Sequence, residues 1–127
     1  MIEIASGFPE RVLAVTGEGK VTADDYRDVL IPEANQRIKK FGSIRMLCHL
    51  GAGFDGLTPG AAWSDLKFGL SRWDEIERFA VVTDVTWITD AIVLFAPFFP
   101  HPIRVFSDSD LDEAKAWILE GMPGATT

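Results

Sequence analysis

The chain has 127 residues, 47% hydrophobic and 24% charged, close to globular averages, which excludes disorder and fibrous architecture and predicts a single domain over residues 1–127. A net charge of −7 repels phosphate backbones and anionic membrane surfaces, so nucleic-acid binding is not expected. One cysteine, Cys48, inside an apolar run, allows no intrachain disulfide and no cysteine-based zinc site, and reads as a buried, inert thiol.

Met1-Ile2-Glu3-Ile4 is not the basic, then long apolar, start of a secretory signal, so a cytoplasmic location is expected. Residues 1–5 and 11–16 are short and apolar, and Gly7-Phe8-Pro9 between them supplies turn chemistry, which predicts an opening hairpin ended by Gly17-Glu18-Gly19. A first helix follows. Thr22 and Asp25 make a capping-box pattern, Tyr26, Val29, Leu30, Ala34, Ile38 and Phe41 fall on one face, and Pro32 should kink it. The basic residues Arg37, Lys39, Lys40 and Arg45 are expected at its solvated end, where cations suit the helix dipole.

Residues 43–50 read as a third strand covered on both faces, and the glycines at 51, 53 and 56 carry the chain away as a loop. Thr58-Pro59 looks like N-cap and N1 of a second helix, with Ala62, Trp63, Leu66, Leu70 and Trp73 at helical spacing. Residues 79–83 form a fourth strand, a third helix runs from Asp84 to Ala96, and residues 103–106 are a fifth strand after Pro100-His101-Pro102. A fourth helix carries Asp110, Asp112 and Glu113 in its first turn, buries Leu111, Ala114, Trp117 and Ile118, and stops near Gly121 and Pro123. The resulting order, ββαβαβαβα, implies an α/β fold with a mixed, mostly parallel five-stranded sheet packed with helices.

Gly51-Ala52-Gly53-Phe54-Asp55-Gly56 is a literal G-x-G-x-x-G. A dinucleotide loop needs the helix to open within the glycines so that free N–H groups meet the pyrophosphate, whereas Thr58-Pro59 places the helix start beyond them. A plain flexible loop is expected instead. The only histidines are His49, within a strand, and His101, between prolines; neither has a partner in sequence for acid–base work, and two make a poor metal site. No catalytic residue, metal or cofactor is therefore expected.

Residues 87–99 carry the main signal. Only Thr89, Asp90 and Pro97 are outside the apolar class, so the helix is apolar on every face and something must cover its outer side. The stretch is too short for the roughly 18 residues of a membrane span. Burial in the domain, a homodimer contact, and a surface for an apolar ligand or membrane all stay open. Pro97-Phe98-Phe99-Pro100 favours an exposed patch, and Trp63 and Phe68 on the second helix could line an aromatic pocket with it.

Four segments together carry a family resemblance. They are Gly19-Lys20-Val21-Thr22-Ala23-Asp24-Asp25-Tyr26 with Leu30-Ile31-Pro32; Phe54-Asp55-Gly56 with Ala62-Trp63-Ser64-Asp65; Ala80-Val81-Val82-Thr83-Asp84-Val85 with Trp87-Ile88; and Arg104-Val105-Phe106. With these the chain resembles the SpoIIAA-like family, small bacterial proteins similar in fold to anti-sigma-factor antagonist (STAS) and lipid-binding CRAL-TRIO domains. The resemblance implies the same element order. True antagonists present a phosphorylatable serine in an Asp-Ser-Ser-Gly type motif at the start of the second helix, and this chain lacks that motif; the nearest hydroxyl is Thr58, an ordinary N-cap.

The first expectation is a non-enzymatic module that binds an apolar small molecule, lipid or acyl chain through Trp63, Phe68, Trp87, Phe95, Phe98 and Phe99. A peripheral membrane contact by the third helix is part of it, and a homodimer through that helix stays open. The alternative is an antagonist-like protein-interaction module in bacterial regulation, meeting its partner through the second helix and Thr58.

Overall fold

Ile2–Ile4 (β1) and Val12–Gly17 (β2) pair antiparallel, with Ile2 opposite Gly17 and Ile4 opposite Val15, as the hairpin pattern predicts. The computed structural model describes residues 1–122, without the side chains of residues 66, 69, 70 and 73. Leu66, Leu70, Trp73 and Pro123, which the pattern placed on helix faces and ends, lie outside what is described.

The first helix, α1, spans residues 23–41 and is opened by Thr22. The Thr22 hydroxyl accepts from the Asp25 N–H at 3.3 Å while the Asp25 carboxylate accepts from the Thr22 N–H at 2.8 Å, a complete capping box. The helix is not uniform: Ala23–Asp25 and Ile31–Phe41 are α-helical, and Tyr26–Leu30 between them is a π turn. Pro32 accounts for it. Its ring would collide with the carbonyl four residues back, and the widened turn relieves that by letting the Ile31 N–H reach the Tyr26 carbonyl instead. The irregularity expected at Pro32 is thus a π turn that ends two residues upstream, and it turns both Tyr26 and Leu30 into the core. Gly42, at φ 84°, closes α1 with a bond from its N–H to the Ile38 carbonyl, a conformation that favours glycine.

Ile44–Leu50 (β4) lies between β2 and Ile76–Thr83 (β6), parallel to both, and is largely buried on both faces. Ile103–Phe106 (β7) extends the sheet, giving the order β1-β2-β4-β6-β7. β6 starts three residues earlier than the pattern predicts, because Glu77 and Arg78 look unlike strand interior until their partners are seen. Arg11 donates to Ser43 Oγ and to Glu77 Oε2, both at 2.8 Å, stitching the starts of β2, β4 and β6 together. Burial pushes the Glu77 carboxyl up, but the Ser43 hydroxyl, Arg11 and Arg45 outweigh it and hold its pKa below the ordinary value.

The glycine-rich segments, expected as a turn and a flexible loop, build two further strands. Gly19–Val21 (β3) and Phe54–Leu57 (β5) pair parallel in a separate two-stranded sheet. Val21 and Phe54 are buried in the main core, and this burial holds the short strands in place. The G-x-G-x-x-G glycines therefore serve strand pairing, with the Gly19 N–H donating to the Gly53 carbonyl at 2.7 Å.

Three helices, α1, Pro59–Arg72 (α2) and Thr86–Phe95 (α3), contribute to the apolar cluster on one face of the sheet, with Leu13, Val15, Met46 and Val81 beneath them. Leu111–Leu119 (α4) covers the other face over Val12, Ala14, Leu47, Ala80 and Val82. Neighbouring strand residues thus divide between two apolar layers, as the period of two requires.

The basic residues read as a solvated helix end are only partly so. Lys39 and Lys40 are exposed in the last turn of α1, but Arg37 bonds the carbonyls of Glu10 and Val12. Arg45 belongs to β4 and is buried, donating through Nη1 to the carbonyls of Ile118 at 3.0 Å and Glu120 at 2.6 Å. Arg78 reaches the Trp117 carbonyl at 2.8 Å. Arg45 and Arg78 thus bond carbonyls at the C-terminal end of α4 and place positive charge at its negative pole.

Candidate functional site

α3 has an apolar stripe and an apolar back. Ile88 is buried and Ile92 packs against the core cluster, one helical turn apart as an inward face requires. The outward positions are apolar as well: Trp87, Val93, Leu94 and Phe95 keep 55%, 66%, 66% and 52% of their surface. A 3₁₀ turn, Ala96–Phe98, follows directly, with Phe98 73% exposed and Phe99 half-buried. Asp90 is the only charge between residues 86 and 99. The segment thus presents a run of large apolar side chains to solvent.

The two α2 residues predicted to join this patch part company. Trp63 is 61% exposed, whereas Phe68 is buried with Ala61 in the core. Five residues of helix separate them by about 140° around the axis, so one helix cannot present both to the same surface. Phe68 is therefore not part of the exposed set. It lines, with Ile31, Asn35, Ser64, Lys67, Ser71 and Arg72, a groove between α1 and α2. The inward face of α2 runs through Ala61 and Phe68, not through Ala62 and Trp63.

Below the start of α2, Tyr26 donates its phenol O–H to Asp65 Oδ1 at 3.0 Å. Asp65 keeps solvent contact as a residue, yet the protein atoms around its carboxyl raise its pKa, with the Tyr26 hydrogen bond opposing. Burial, reinforced by the Asp65 charge, pushes the Tyr26 phenol well above its ordinary value and the Cys48 thiol up to about 12. A thiol so poised stays protonated at neutral pH and is a poor nucleophile.

At the opposite face, the ends of three parallel strands bring together His49, Asp84 and Asp108. His49 Nε2 lies 3.3 Å from Asp108 Oδ1, and the Asp108 N–H donates to Asp84 Oδ1 at 3.0 Å. Among the described residues no hydroxyl is hydrogen-bonded to His49; Ser107 Oγ is engaged with Ser109 Oγ at 2.9 Å and Asp110 Oδ2 at 3.0 Å. The nucleophile–base contact needed for covalent catalysis is not formed here. Sequence reading missed this grouping, although each residue sits at or just past a strand's C-terminal end, where open parallel sheets gather ligands. His101 stays in the loop before β7. Among the described residues no group of three or more His, Cys, Asp or Glu is placed to hold a metal ion, and no helix is long and apolar enough to cross a membrane.

Thr58 caps α2, its hydroxyl oxygen accepting from the Ala61 N–H at 3.1 Å. That bond is the ordinary work of a helix N-cap.

A family model described as SpoIIAA-like matches residues 12–119. Among solved structures, the crystal structure of an uncharacterized protein from the DUF3478 family with a SpoIIAA-like fold, from Shewanella loihica PV-4, is 26% identical. The match covers 92% of this chain and 93% of that one, with a TM-score of 0.72. No curated protein matches. With the five-stranded mixed sheet, its helices and a family match over most of its length, the chain belongs to the SpoIIAA-like family.

Proposed function

We propose that this protein is a non-enzymatic module that engages the acyl region of a lipid surface through α3 and the turn after it. The carrying observation is the exposure of Trp87, Val93, Leu94, Phe95 and Phe98 on one short, nearly uncharged segment. These side chains point to solvent rather than into the groove between α1 and α2, which favours an extended apolar environment over an enclosed ligand. Aromatic and aliphatic residues on a short helix are what shallow insertion at a bilayer interface uses. The net charge of −7 provides no general attraction to anionic headgroups, so the driving force is apolar burial and binding depends little on salt.

Co-sedimentation of purified protein with phosphatidylcholine vesicles tests this. Binding is expected with and without anionic lipid, and Leu94→Asp with Phe98→Asp should weaken it by about tenfold or more, since each buried side chain is worth roughly 1.5–3 kcal/mol. Absence of co-sedimentation sinks the reading. So does a stable dimer in sedimentation equilibrium that dissociates with the same substitutions, which would assign the patch to a second copy of the chain.

A further inference from the structure

The groove between α1 and α2 contains about 300 Å³ of space, at the lower end of small-molecule sites. At ~30 Å³ per water this is room for about ten non-hydrogen atoms. Its wall is mixed, with Ile31 and Phe68 apolar and Asn35, Ser64, Lys67, Ser71 and Arg72 polar.

The polar groups are unevenly satisfied. Arg72 is neutralised by Glu75, with Nη1 at 3.2 Å from both carboxylate oxygens, and the Ser71 hydroxyl donates to the Phe68 carbonyl at 3.1 Å. Lys67 has no ion pair, and Ser64 Oγ no hydrogen bond, among the described residues. Asn35 Oδ1 is sealed from solvent with no donor among the described residues. A buried acceptor in that state is costly, and the broad terminal torsion of asparagine lets the amide turn to meet a donor brought into the groove. Among the described residues the groove thus offers a solvent-exposed cation at Lys67, an unpaired acceptor at Asn35 and apolar surface at Ile31 and Phe68 between them.

We infer that this groove binds a small hydroxylated organic carboxylate. Its carboxylate meets Lys67 and Ser64, its flat or aliphatic body lies on Ile31 and Phe68, and its hydroxyl donates to Asn35 Oδ1. The inference does not rest on the membrane reading, because none of these residues belongs to the exposed patch of α3.

Titration of the protein with 4-hydroxybenzoate, whose ring separates its hydroxyl from its carboxylate, followed by backbone amide NMR shifts, provides the test, with benzoate (no hydroxyl) and 4-hydroxybenzamide (no charge) as comparison probes. Saturable shifts are expected at Asn35, Ser64, Lys67 and Ser71. Benzoate should bind about threefold to tenfold more weakly for want of one hydrogen bond, and 4-hydroxybenzamide should not saturate. Lys67→Gln, at an exposed position, should weaken 4-hydroxybenzoate roughly threefold to fivefold. Asn35→Leu should remove the preference for 4-hydroxybenzoate over benzoate, with circular dichroism confirming that both variants stay folded. Equal affinity of all three probes, no effect of Lys67→Gln, shifts centred on residues 87–98, or no shifts at all would each overturn it. The lipid reading fails on vesicles and this one on small probes, so the two failures are distinguishable.

Discussion

Arg45 shows how much one side chain can contribute to this fold. Its guanidinium is buried between the sheet and the end of α4, and burial lowers its pKa from the ordinary value while Glu77, at 3.7 Å, acts the other way. Replacing it with Met fills the volume but leaves the Ile118 and Glu120 carbonyls without their donor. Arg45→Met should cost about 2–3 kcal/mol, read from urea denaturation, because hydrogen bonds to charged groups fall near that size. The Tyr26–Asp65 pair gives a prediction whose sign depends on charge. The Asp65 pKa is raised in the folded protein, so its ionised form is held less comfortably there than in the unfolded chain. Stability from this group falls as pH rises from the ordinary carboxylate value toward the raised one. Asp65→Asn should therefore raise the melting temperature at pH 7 while shrinking that gain at acidic pH. Tyr26→Phe removes the donor and should do the reverse. Cys48 acts at the alkaline end. With its thiol raised from 9.0 to about 12, the folded state keeps a proton that the unfolded chain loses above pH 9, and stability drops by up to about 1.4 kcal/mol per pH unit. Cys48→Ala should flatten that decline between pH 9 and 11, measured as the urea midpoint.

The scale of the element brings out the contrast between α3 and α4. α4 has one apolar stripe, Ala114 and Ile118, that is completely covered, and Ile118→Ala should cost ~2–5 kcal/mol as a filled core position is emptied. α3 packs Ile88 and Ile92 on the core and leaves Trp87, Val93, Leu94 and Phe95 outside. Substitutions there, such as Val93→Ser, should change global stability by less than about 0.5 kcal/mol while reducing vesicle binding. A large loss of stability instead would mean that the outward face supports the fold. Thr58→Ala removes the α2 N-cap and should cost about 1 kcal/mol in thermal or urea unfolding.

Across the whole molecule, what sequence reading recovered was whatever local periodicity encodes. The hairpin, the helices, the capping box at Thr22 and the apolar strands repeat with periods that one chain segment displays by itself. What escaped it depended on partners distant in sequence. β3 and β5 hold together through Val21 and Phe54 and each other's backbone, so their glycines read as loops. The start of β6 is hidden by Glu77 and Arg78, which are ordinary strand residues only once Arg11 and the end of α4 meet them. Trp63 and Phe68 look alike as aromatic neighbours on α2, and only the direction in which that helix faces the sheet puts one in the core and the other in water.

By itself the sequence determined the α/β order, the absence of a membrane-spanning stretch in α3, and the existence of an apolar segment with more hydrophobic surface than one contact can bury. Those follow from composition and spacing along the chain. Tertiary structure alone decided that the back of α3 stays uncovered by the rest of the described domain, that Asn35, Ser64 and Lys67 line one groove, and that Tyr26 reaches Asp65. Such facts depend on how helices and strands far apart in sequence are rotated against one another, and rotation about a helix axis leaves no mark in the order of residues.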